Sequence, residues 1–71
     1  MKKYSTKEVA EIVQRKGLGY AISSYLSHDC IKDKELSVLW KQCHEAIHNI
    51  DRESYYEAMK KIEDRLGGYR D

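Results

Sequence analysis

"LSVLWKQCHEAIHNIDRESYYEAMKKIEDRL", residues 36–66, holds two apolar stripes and one interruption, and the reading of the interruption decides the fold. Leu36, Leu39, Trp40, Cys43, Ala46, Ile47 and Ile50 recur at intervals of three and four, as one face of a helix does. A second stripe runs through Tyr55, Ala58, Met59, Ile62 and Leu66 and stops at Gly67-Gly68. In "NIDRES", 49–54, the phase breaks. Asp51 can cap a new helix there, and Ser54 with Glu57 has the spacing of a capping box. One kinked helix would leave part of a stripe in water, whereas a helical hairpin buries both. The spacing therefore predicts a hairpin.

Ahead of it, "YSTKEV", 4–9, opens a first helix with Ser5 as N-cap, Glu8 closing a capping box, and Tyr4 with Val9 as a hydrophobic staple. Val9, Ile12 and Val13 form its buried stripe, and Gly17 is expected to end it as a left-handed cap. A second helix, roughly 18 to 27, should bury Leu18, Ala21, Ile22, Tyr25 and Leu26. "SHDCIKD", 27–33, reads as a loop with Ile31 anchored in the core and Asp33 capping the long helix. No stretch alternates with period two and proline is absent. The expectation is an all-α fold, a compact bundle of about four helices with two short N-terminal helices packed on a longer hairpin. It would form a single small domain over 1–71, with a flexible tail at 67–71.

Composition narrows the function. Seventy-one residues lie near the lower end of what folds alone, so a dimer or a partner is a natural source of further stability. Net charge is +1, with +2 on residues 1–35 and −1 on 36–71, which argues against a dedicated nucleic-acid binder. No apolar run of about 18 residues predicts a membrane span. Met1-Lys2-Lys3-Tyr4 leads into a helix signal and does not resemble a signal peptide. Cys30 and Cys43 show no C-x-x-C pairing and read as two reduced thiols, Cys43 in the core, which points to the cytoplasm.

"HEAIH", residues 44–48, resembles the H-E-x-x-H signature of zinc metallopeptidases, in which two histidines one turn apart bind the metal and the glutamate activates water. The resemblance covers His44, Glu45 and His48. The longer signature adds a glycine and a third histidine, where this chain has Asp51 and Ser54. Helical phase puts His44 at the flank of the buried stripe, His48 farther round and Glu45 nearly opposite the core, on a helix edge without a cleft. A zinc hydrolase using His44 and His48 is the remote alternative, and neither an enzyme nor a cofactor is expected. A structural zinc held by Cys43, His44, His28 and Cys30 would require the loop to fold onto the long helix.

"YSTKEVAEIV", 4–13, resembles the first helix of the helix-turn-helix in MerR-like and excisionase-like regulators. That resemblance implies a DNA-binding regulator. It departs at the next step, because no lysine or arginine lies between Gly17 and Ile31, and a recognition helix without cations lacks phosphate contacts. Arg52, Lys60, Lys61 and Arg65 are interleaved with acidic residues and read as a self-paired helix face.

Six tyrosines and one tryptophan, with no phenylalanine, remain. Tyr20 points away from the stripe of its helix, Tyr56 lies beside Arg52 and Lys60, and Tyr69 follows the terminal glycines. Tyrosine and arginine suit protein interfaces because they combine contact area with a polar handle. Two partner-binding faces compete, one at Tyr20 and one at Arg52, Tyr56 and Lys60. The reading is a small, non-catalytic cytoplasmic protein that binds another protein, as an accessory, regulator or inhibitor covering a functional surface, with homodimerisation through leftover apolar surface as a second expectation. Its size is that of small phage and mobile-element proteins, an analogy of scale alone.

Overall fold

Capping signals set the helix ends in the computed structural model, which describes residues 2–67. The first helix, α1, spans Thr6–Lys16. The Ser5 hydroxyl accepts the Glu8 N–H at 3.2 Å and the Ser5 N–H donates to the Glu8 carboxylate at 2.9 Å, closing the expected box. That N–H holds the Glu8 carboxyl below its ordinary pKa, aided by Lys2 and opposed by burial. Gly17 ends α1 with φ 88° and ψ 145°. The positive φ is as expected, but the extended ψ differs from a left-handed helical cap and is a conformation essentially confined to glycine.

The second helix is shorter and wider than its periodicity predicts. α2 begins as Leu18–Tyr20 and continues as a π turn, Ala21–Tyr25, closed by the Leu26 N–H reaching the Ala21 carbonyl at 2.9 Å. Leu26 is already extended, so the helix stops before residue 27. A 3₁₀ turn, His28–Cys30, follows, and Ile31 is buried as expected. Tyr4 pairs alongside Ile31 in one isolated parallel bridge, donating to the Cys30 carbonyl at 2.7 Å and accepting from Lys32 at 2.9 Å. This draws the entrance of α1 against the chain that enters the long helix.

α3, Lys34–His48, and α4, Arg52–Arg65, form the hairpin and supply most of the contact between elements. Asp33 caps α3 by accepting from the Glu35 and Leu36 N–H groups at 3.0 and 3.2 Å. The same carboxylate accepts from the Thr6 hydroxyl at 3.1 Å and from Arg65 at 3.0 Å, and Arg65 also reaches Glu35 at 3.1 Å. One side chain thus joins the start of α1, the start of α3 and the end of α4. Asp51 caps α4, taking both the N–H and the hydroxyl of Ser54. The predicted Ser54–Glu57 box is therefore displaced: Ser54 sits inside the first turn, and its hydroxyl serves Asp51.

Val9, Val13, Ile22, Leu36, Trp40 and Ile62 lie at the centre of the core, so the fold is an all-α four-helix bundle with the N-terminal pair packed on the hairpin. The stripe read from sequence runs too far at its ends. Tyr25, Ile47 and Ile50 are exposed, and Tyr55 and Met59 are half-buried. Helical spacing persists to residue 50, but α3 ends at His48, and Ile50 turns away with φ 56°. Its N–H donates to the Ile47 carbonyl at 3.1 Å while the Asp51 N–H reaches back to Ala46 at 2.8 Å. This is a Schellman closure with isoleucine where glycine is usual. Left-handed backbone at a β-branched residue costs about 1–2 kcal/mol, of which glycine would return part to unfolded-state entropy. Ile50→Gly should therefore raise stability by about 0.5–1 kcal/mol, read as a higher urea midpoint. A lower midpoint would show that the turn is not strained. Of the tail expected to be flexible, 67–71, only Gly67 is among the described residues, and Tyr69 lies outside them.

The two cysteines are free thiols in unlike settings, Cys43 fully buried and Cys30 half-buried. Burial pushes the Cys43 thiol up to about 11. A neutral thiol without solvent access does not attack an alkylating reagent. Under native conditions at neutral pH, mass spectrometry should find label on Cys30 first, with Cys43 modified only at the rate of global unfolding. Equal labelling of both would contradict this core.

Candidate functional site

Three side chains of α3 hold the preceding chain in place. At spacings of three and four, Ser37, Trp40 and His44 lie along one face of α3. The Ser37 hydroxyl donates to the His28 carbonyl at 2.8 Å, and the Trp40 indole N–H donates to the Leu26 carbonyl at 2.8 Å. His44 donates its Nε2–H to the carbonyl of Ile22. The π turn explains the last bond. In an α-helix the Leu26 N–H would serve Ile22, but here it reaches Ala21, and the imidazole supplies the donor instead. Sequence periodicity gave no sign of this, because each bond joins residues at least nine apart.

The same geometry places "HEAIH". His44 is half-buried with Nε2 engaged, and Glu45 and His48 are exposed. A ring nitrogen that carries a hydrogen toward a carbonyl has no lone pair to offer a metal. The loop does fold onto the long helix, setting the His28 and His44 rings 6.3 Å apart, yet His28 is engaged with Asp29 at 3.2 Å. Among the described residues no group of three His, Cys, Asp or Glu side chains is arranged to hold a metal ion. Among them, too, no helix is long and apolar enough to cross a membrane.

The residues expected to bind a partner lie on two elements, Tyr20 on α2 and Arg52, Tyr56 and Lys60 on α4. Arg52, Tyr56 and Lys60 are all exposed and one turn apart on α4, forming a single ridge with the Tyr56 ring 65% exposed at its centre. Arg52 and Lys60 make no ion pair among the described residues. Tyr20 is 52% exposed and its ring lies 6.4 Å from that of Tyr25. The two faces are not remote from each other. A Cβ on Gly19 would stand 3.8 Å from the Tyr55 hydroxyl, and the Tyr55 and Tyr56 rings are 5.6 Å apart. The backbone beside Tyr20 therefore leans on the α4 turn that carries Tyr56. Burial, with Cys43 and Tyr56 nearby, raises the Tyr55 phenol above its ordinary pKa, which keeps it a neutral donor at this junction.

Tyr25, Ile47 and Ile50, expected in the core, are exposed instead. Ile50 is the extreme case, 84% exposed on a strained turn. The missed signal was the absence of glycine or asparagine at the position after the α3 cap. Without that cue, the helical spacing of apolar residues continues unbroken through the turn. Searches of the chain against protein-family models, curated proteins and solved structures found no match.

Proposed function

We propose that this is a small, non-catalytic protein that binds another protein, acting as an accessory or regulatory factor or as an inhibitor that covers its partner's functional surface. The observation that supports it most is Ile50. The residue contributes no burial and carries backbone strain, so its side chain does nothing for the monomer. Ile47 is exposed three residues before it, the exposed Arg52–Tyr56–Lys60 ridge begins two residues after it, and Gly19, beside the Tyr20–Tyr25 pair, approaches Tyr55. Large amphipathic side chains with cations beside them are the usual anchors of protein interfaces. The two free thiols agree with a cytoplasmic setting. The DNA-binding alternative gains little from the structure, since the exposed part of α2 offers Tyr20, Ser23, Ser24 and Tyr25 and no cation.

The test is a pull-down with tagged protein, with and without nuclease, read by mass spectrometry. A near-stoichiometric, nuclease-resistant partner is expected. Tyr56→Ala with Lys60→Glu should reduce its recovery by at least about tenfold while leaving the circular dichroism spectrum unchanged. Enrichment that disappears with nuclease would replace this reading with a nucleic-acid one.

A further inference from the structure

α3 has two working faces. The Ser37–Trp40–His44 row holds the chain from Ile22 to His28, and about half a turn away on the same helix lie Glu35, Val38, Gln42 and Glu45. Together with α4 these residues wall two adjoining hollows that share Lys61. The first, about 510 Å³, has Val38 and Leu39 on the α3 side and Asp64 and Arg65 on the α4 side. The second, about 280 Å³, places the buried Ala46 and Ala58 beneath the exposed Gln42, Glu45 and Ser54. They form one groove between the helices, about 21 Å long from Glu35 to Asn49 at the helical rise. Ser54, Ala58, Lys61 and Arg65 lie about half a turn round α4 from the Arg52–Tyr56–Lys60 ridge, so groove and ridge face different ways.

The groove differs in charge from the rest of the chain. Its walls carry four carboxylates, on Glu35, Glu45, Asp51 and Asp64, against two cations, Lys61 and Arg65, a net of −2 on a chain whose net charge is +1. Arg65 is held by Asp33 and Glu35, and Asp51 is occupied in capping α4. Glu45, Asp64 and Lys61 are exposed and make no ion pair among the described residues. We infer that the groove takes a basic amphipathic helix of another protein, laid along α3 and α4 as a third helix. An apolar side chain of that helix would cover Val38 and Leu39, with its lysines or arginines facing Glu45 and Asp64. The small side chains of Ala46 and Ala58 let such a helix approach closely. Apolar contact alone does not select the partner. The sign of the charge does, because an acidic helix would meet net repulsion along the groove. Lys61 works against a basic partner, so its removal is informative. This inference goes beyond the partner surface proposed above and uses none of its residues.

The probe is a synthetic helix of leucine, alanine and lysine, about 14 residues long to match the groove. It is titrated against the isotope-labelled full chain by NMR, with glutamate in place of lysine in a control peptide. Saturable binding is expected, centred on Val38, Gln42, Glu45 and Lys61, and at least about tenfold tighter than that of the acidic peptide. Glu45→Lys with Asp64→Lys should weaken it at least about tenfold, and Val38→Gln at least about threefold. Lys61→Glu should tighten it by about two- to fivefold, the size of one exposed charge pair. Thermal melts should show that these variants still fold. Equal affinity for both peptides, shifts centred on Ile50 and Tyr56, or no saturation at millimolar peptide would each overturn the inference. So would a dimer in sedimentation equilibrium that Val38→Gln dissociates, since a second copy would then fill the groove. Tyr56→Ala with Lys60→Glu should bind the peptide as wild type does while losing the partner in the pull-down, so the two readings fail separately.

Discussion

Replacing Trp40 with alanine should abolish cooperative folding at room temperature. The side chain is fully buried, and its indole N–H satisfies the Leu26 carbonyl. Loss of the burial and the cavity left behind cost about 3–5 kcal/mol. The stranded carbonyl adds about 1–3 kcal/mol, because it is held where water reaches it poorly. A domain of this size has roughly 4–11 kcal/mol in all, so most of that stability is removed. Trp40→Phe separates the two effects. It keeps much of the volume and loses the donor, and it should cost about 1–2 kcal/mol, a fall of about 5–15 °C in Tm. Circular dichroism melts of both variants give the answer. A Trp40→Ala protein that melts within a few degrees of wild type would mean that the indole is not the centre of the core.

Asp33→Ala should cost about 2 kcal/mol, combining a lost N-cap with a partly exposed ion pair whose share is discounted for solvent screening. Asp33→Asn keeps an oxygen for the Glu35 and Leu36 N–H groups and loses only the charge, so it should cost less. Burial alone would raise the Asp33 pKa, but the Leu36 N–H, Arg65 and Thr6 outweigh it and hold the carboxyl below its ordinary range. The sign follows from linkage. A carboxyl whose pKa is lower in the folded state than in the unfolded one stabilises at neutral pH. That stabilisation fades as pH falls through the unfolded value and then the folded one, below about pH 4. The gap in urea midpoint between wild type and Asp33→Asn should therefore be constant near neutrality and close in acid. A gap that persists at low pH would assign the role to shape and not to charge.

The parts of this fold that were legible in the sequence act over a few residues. Ser5 with Glu8, Asp33 and Asp51 each satisfy N–H groups within three positions of themselves, so their spacing was enough to start three helices. The hairpin followed from two stripes that share no common phase. The parts that were not legible depend on distant partners. Ser54 has the spacing of a second box, but Asp51 was a competitor already in place. The π turn deprives the Ile22 carbonyl of its helical donor, and the replacement comes from His44, twenty-two residues away. At the site, the Arg52–Tyr56–Lys60 ridge was readable because it is one row of one helix. Its proximity to the α2 turn depends on Gly19 meeting Tyr55, which no local pattern encodes.

The Ser37–Trp40–His44 row also bears on how the chain can come apart. The carbonyls of Ile22, Leu26 and His28 are answered by another helix, so the segment from 22 to 28 has no self-sufficient shape. α3 in turn buries Trp40 only when that segment lies over it. Neither half is a stable fragment waiting for the other, and the bundle has no natural seam at which to open partway. A protein this small consequently presents its strained turn and tyrosine surface from a scaffold that is either wholly formed or absent, which limits the disorder a partner must remove on binding.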